Sequence, residues 1–184
     1  MKRITVYKIG GSLFDSPKLP DWLRHFAGRS GIVIVPGGGP FADQVRLAQK
    51  RWGFDDLTAH RMAVLAMRQY GQMLLGLEPG LEPWRLGERL PESAVVWLPE
   101  PEVLDREGIP GSWEITSDSL AAWLANRLEA EELVLIKSHP SASGSDLKRL
   151  QALGIIDRAF DVYSGGLRWR VCHRDEIVEW EPGP

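Results

Sequence analysis

"ITVYKIGGSLF", residues 4 to 14, runs an alternating apolar segment into Lys8, Gly10, Gly11 and Ser12. A lysine at the end of a strand, followed by a turn without side chains, is the local grammar of a βα unit whose turn lets a ligand approach the backbone. Residues 3 to 9 read as a strand. Residues 31 to 35, "GIVIV", form a continuous β-branched run typical of a strand covered on both faces. Between them, Asp21 reads as a helix cap, Trp22, Leu23 and Phe26 have helical spacing, and Gly28 is a stop. The unit predicts two parallel strands joined by a right-handed crossover.

The pattern continues outward. After the second strand, Gly37, Gly38 and Gly39 precede Pro40 at the head of a helix whose apolar side carries Phe41, Val45, Leu47 and Ala48. A helix over about 56 to 76 is apolar almost all round, which predicts burial on more than one side. Residues 77 to 93 read as a loop, 94 to 99 as a strand, and "EVLDREGIPGSWEIT" mostly as a connector. "SDSLAAWLANRLEA" is a helix, 132 to 138 a buried strand, "SDLKRLQALG" a short helix closed at Gly154, and "RWRVCHRDEIVEW" one or two strands. This alternation predicts a three-layer αβα sandwich around a mainly parallel open sheet, in one domain over residues 1 to 184.

Composition narrows the function classes. A formal charge of -3 gives no footprint for nucleic acid, and Lys148-Arg149 or Arg168 with Arg170 read as solvated surface. The single Cys172 cannot form an intrachain disulfide, and no Cys/His spacing suits zinc. No signal-peptide pattern and no membrane-spanning run are present, so a cytoplasmic protein is expected.

In a parallel sheet, ligands sit at the carboxyl ends of the strands. Gly10-Gly11, Gly37-Gly38-Gly39 and Lys137 all fall at or just after such ends. If their strands are neighbours, the two glycine turns form facing anion-binding concavities, and Lys8 adds charge. The spacing fits neither a P-loop nor a dinucleotide fingerprint. Two readings of Asp118 stand: one of Ser117, Asp118 and Ser119 caps a helix, or Asp118 holds lysines near phosphate. His60 and His139 are candidates for hydrogen bonds to phosphate or for plain packing.

"YKIGGSLF", "VIVPGGGPFADQVR", "WEITSDSLAAWLANRL" and "LVLIKS" followed by "LGIIDRAF" resemble, in this order, the amino acid kinase family. The resemblance implies a three-layer sandwich around a mainly parallel eight-stranded sheet, and transfer of the γ-phosphoryl group of ATP, with Mg²⁺, to a small carboxylate, carbamate or phosphate. It implies that Lys8 contacts the transferred group, that Gly10, Gly11 and Ser12 form the phosphate loop, and that Gly37, Gly38 and Gly39 face the acceptor; His60 joins these glycines as an acceptor-binding candidate from its residue type, not from the resemblance. Asp118 would organise the catalytic lysines, with Lys137 as the candidate second one. "DDLTAHRMAVLAMRQYGQML" with "GSWEITSDSLAAWLA" resembles a small archaeal and methylotroph branch linked to methanofuran biosynthesis, which implies a phosphate-monoester acceptor.

There are departures. The chain is shorter than usual members, "IKSHPSASGSD" stands where many carry an Asp-Val-Asp-Gly-like nucleotide loop, and the tail is "VCHRDEIVEWEPGP". They leave two alternatives: another small-metabolite kinase, or a non-catalytic kinase-fold subunit with a degenerate nucleotide site. The apolar helix over 57 to 75 could serve a homo-oligomer interface.

Overall fold

The computed structural model describes residues 3 to 140, 144 and 146 to 178. The described part contains, in chain order, β1 (Thr5–Ile9), a 3-10 turn (Gly11–Leu13), α1 (Leu19–Phe26), β2 (Ile32–Pro36), α2 (Gly39–Trp52), α3 (Asp56–Leu77) and β3 (Glu82–Trp84). There follow β4 (Val95–Trp97), α4 (Pro101–Arg106), α5 (Ser117–Arg127), β5 (Glu132–Lys137), α6 (Leu147–Ala152), α7 (Phe160–Tyr163), β6 (Trp169–His173) and a second 3-10 turn (Glu176–Val178).

The six strands form one sheet of order β3-β4-β2-β1-β5-β6, and every ladder is parallel. The architecture is the expected α/β sandwich; the family's eight strands are six among the described residues. β1 is central, with Lys8 level with Val35 on one side and Leu135 on the other.

Strand alternation divides the core. Val6, Val33, Val35, Leu133 and Leu135 face α5, α6 and α7 on one side of the sheet. Tyr7, Ile9, Ile34, Val134 and Ile136 face α1 on the other, where Trp22, Leu23 and Phe26 are buried. Period two therefore sends Lys8 and Lys137 to the α5 side, because they follow Val6 and Leu135 by two residues.

Several boundaries differ from the sequence reading. Asp21 is not the cap of α1; Lys18 holds that position, Pro20 occupies the first turn, and Asp21 pairs with Arg24 at 2.5 Å. Leu47 is exposed, and Ala42 joins Val45 on the buried side of α2. α3 buries Val64, Met67, Tyr70 and Leu74, while Leu57, Met62, Leu65 and Leu77 stand in solvent, so it is covered on one side only. β3 lies in the stretch read as a loop, and α4 in the one read as a connector. Of the tail, residues 179 to 184 lie outside the described residues, as do 141 to 143 and 145 of the 137–146 loop.

Candidate active site

Lys8 leaves β1 beneath its own turn. A Cβ on Gly10 would lie 2.9 Å from the Lys8 Nζ, so this glycine leaves room for the ammonium group. Gly11 serves a different neighbour: its Cβ would come within 2.5 Å of the Gly39 Cα. A Cβ on Gly37 would meet the Gly11 nitrogen at 2.8 Å. The two glycine loops thus rest backbone on backbone, which their strands permit because β1 and β2 are adjacent.

Gly11 and Ser12 open the first 3-10 turn, whose first internal bond runs from the Leu13 N–H to the Gly10 carbonyl. Their own N–H groups precede that bond and are available to an anion in the manner of any helix start.

Asp118 completes the arrangement from α5. Thr116 is the cap, its side chain accepting from the Asp118 N–H at 3.5 Å, so the capping role considered for residues 117 to 119 belongs one residue earlier. The Asp118 carboxylate lies 2.9 Å from the Lys8 Nζ through Oδ1 and 2.7 Å from the Lys137 Nζ through Oδ2. Lys8 and Asp118 are almost wholly buried. Burial pushes Lys8 down to about 8, with the Lys137 ammonium acting the same way and Asp118 opposing. Burial alone would raise Asp118, yet the two ammonium groups outweigh it and hold the carboxylate at about 2.

Asp157, which the sequence reading did not single out, fixes the start of α5. Its carboxylate accepts from the Thr116 N–H at 3.0 Å and hydroxyl at 2.6 Å, and from the Ser119 N–H at 3.0 Å and hydroxyl at 2.5 Å. Asp157 thereby orients the turn that presents Asp118. Its partners lie 38 to 41 residues away in sequence, so no local pattern marks it.

In front of the glycine loops lies a cleft of about 380 Å³, with Gly11, Ser12, Gly38 and Gly39 at one end and α3 and the segment before α5 as walls. His60 is in the wall, its Nδ1 donating to the Ser112 carbonyl at 3.3 Å. A carbonyl only accepts, so the proton sits on Nδ1; burial lowers the ring's affinity for a second proton. Nε2 is sealed without a hydrogen-bond partner. In this arrangement His60 ties α3 to the 107–116 segment, while His139 is exposed.

The other unforeseen group is a stack. The Arg46 guanidinium lies 4.1 Å over the Trp113 ring, whose indole N–H donates to Gln49 Oε1 at 2.6 Å.

Among the described residues, no three His, Cys, Asp or Glu side chains converge to hold a metal ion. Asp118, the one buried carboxylate of that set, is already taken by two lysines. The described residues therefore form no protein-built metal cage, and Lys8, Lys137 and the backbone N–H groups of the glycine loops are the cationic and donor groups at this edge of the sheet.

The glycines allow a sharp test. Gly10 has extended backbone angles that alanine adopts freely, so Gly10→Ala displaces only the end of Lys8. It should lower turnover at least ten-fold while costing less stability than Gly11→Ala, because the end of a side chain yields more easily than backbone. Gly11→Ala forces backbone against backbone and should cost about 1–3 kcal/mol in a denaturant titration. Equal behaviour of the two variants would refute the division of labour.

Comparison with known proteins converges on one class. No family model matches the chain. Among curated proteins, the [5-(aminomethyl)furan-3-yl]methyl phosphate kinase of Methanocaldococcus jannaschii is 30% identical over 187 residues, covering 94% of this chain and 75% of its own. Among solved structures, uridylate kinase from Archaeoglobus fulgidus aligns with a TM-score of 0.66 at 16% identity over 96% of this chain and 94% of that one. Aspartate kinase from Synechocystis aligns at 0.64 and 16% identity over 93% and 38%. The structural likenesses show the fold, and with the curated relative they make the protein a kinase. The chain belongs to the amino acid kinase family.

Proposed function

We propose that this kinase transfers the terminal phosphoryl group of ATP to a phosphate monoester, [5-(aminomethyl)furan-3-yl]methyl phosphate, and forms its diphosphate in the cytoplasm. The observation that carries the reading is the Lys8–Asp118–Lys137 cluster beneath two abutting glycine loops at the carboxyl edge of the sheet. The similarity to the Methanocaldococcus jannaschii enzyme supports the choice of acceptor.

The chemistry suits what these residues supply. An oxygen of the acceptor phosphate attacks the terminal phosphorus, the bond to the bridging oxygen breaks, and ADP leaves with that electron pair. Charge spreads over the oxygens of the moving group, so catalysis is mostly alignment and electrostatic stabilisation. Lys8 and Lys137, held by Asp118, face that charge. A phosphate monoester is already ionised at neutral pH and needs no general base, which agrees with the sealed Nε2 of His60. A cleft of about 380 Å³ is suited to a small metabolite. Within the described residues no helix is long and apolar enough to cross a membrane.

A coupled ADP-release assay, with the product followed by phosphorus NMR, tests the reading. The expected result is ADP formation together with a new diphosphate when the furan phosphate is supplied. ADP release driven instead by aspartate, carbamate or UMP would assign a different acceptor and overturn it.

A further inference from the structure

The cleft has a charge order that the transfer chemistry does not use. Its glycine end carries the start of α2, where the unpaired N–H groups and the helix dipole favour an anion. Asp43 and Arg46 are the two charged side chains of the described lining, both on α2. At 1.5 Å of rise per residue, Asp43 lies about 6 Å along the axis from Gly39, and Arg46 about 10 Å.

The two charges are not equally available. Arg46 is stacked on Trp113, and that ring is fixed by Gln49, which also donates to the Phe54 carbonyl at 3.2 Å and to Asp56 at 2.8 Å. Asp43 meets Arg46 through Oδ1 alone, at 3.4 Å, close to the limit of a hydrogen bond, and its side chain is 69% exposed. Its carboxylate can thus receive a cation without breaking a strong pair. Along the wall the sequence is anion-binding helix start, then carboxylate, then Arg46 stacked on the Trp113 ring. A molecule with phosphate at one end and an ammonium group at the other, joined by a short flat linker, complements that order.

We propose that Asp43 is a specificity-determining residue that pairs with a protonated amine on the acceptor, one helical turn along α2 from the glycine loops. The inference rests on the phosphate-monoester reading above. Asp43 discriminates between acceptors and takes no part in the transfer itself.

Calorimetric binding tests this without depending on turnover. The probes are the aminomethylfuran phosphate and the same ester with a methyl group replacing the aminomethyl group, each titrated into wild type, Asp43→Asn and Arg46→Gln. Wild type should bind the amine-bearing ester about ten-fold more tightly, the lower end of what a hydrogen bond to a charged group contributes. Asp43→Asn should erase that preference while binding the methyl ester as wild type does, and Arg46→Gln should keep it. Because Asp43 is exposed, its variant should unfold at the wild-type temperature, which separates lost recognition from lost fold. A preference that survives in Asp43→Asn, or equal binding of both esters by wild type, overturns the inference and leaves the kinase reading standing. Binding of neither ester at millimolar concentration overturns both.

Discussion

Methionine in place of Lys8 is expected to lower kcat by about a thousand-fold, the upper range for removing one preorganised donor from a transition state. The reason is positional. Lys8 sits on the central strand with parallel partners on both sides, and its ammonium is anchored to Asp118 at 2.9 Å. Arginine should not rescue the loss, because its planar fork is larger than the space Gly10 leaves. The same residue sets a pH limit. With Lys8 lowered to about 8 by burial, the free enzyme loses this charge as pH rises through that value, so kcat/KM should fall above pH 8. Bound phosphates favour the ammonium form, so the corresponding fall in kcat should come at higher pH. A Lys8→Met enzyme with wild-type turnover would remove Lys8 from the mechanism.

Asparagine at Asp118 should be damaging in two ways. It preserves shape but leaves two ammonium groups against a neutral amide, one of them Lys8, which is buried. Removing one partner of a buried ionic group costs about 3–5 kcal/mol, which lowers the melting temperature by roughly 6–20 °C in a protein of this size. Turnover should fall by at least a hundred-fold, because Lys8 loses the charge that opposes its deprotonation. The sign of the pH response distinguishes this cause from simple misfolding. In the variant, Lys8 has a folded pKa still further below its unfolded value, so the unfolded chain binds more protons between the two. Stability of Asp118→Asn should therefore rise relative to wild type as pH increases from 7 to about 8, the value at which the wild-type lysine also loses its proton, and run parallel to it above. Unchanged melting and turnover would contradict the assigned geometry.

Parts of this arrangement are legible in the chain because they follow from short-range rules. β2 is a continuous β-branched run and β1 and β5 are short, mainly apolar segments, and period two places Lys8 and Lys137 on the face of Val6 and Leu135. Other parts are not local. β3 holds three residues, one of them Pro83, and is a strand only because β4 lies beside it. α4 begins at Pro101, a suitable first-turn residue whose signal is hidden among connector residues. The apolar pattern of α3 does not say which side meets the sheet; packing leaves Leu57 and Leu65 in solvent. Asp157, and the stack of Arg46 on Trp113, arise between segments far apart in sequence, so only the folded chain brings them together.

The contact between Gly11 and Gly39 has a consequence for how such an enzyme can be altered. The loop assigned to the donor and the loop assigned to the acceptor are not separate parts; each is the other's floor. A change that shifts one must move the other, so the affinities for the two substrates cannot be adjusted independently at this point. Diversification of acceptor choice has its freedom further out, along the walls of the cleft, while the seam between the loops behaves as a single hingeless piece.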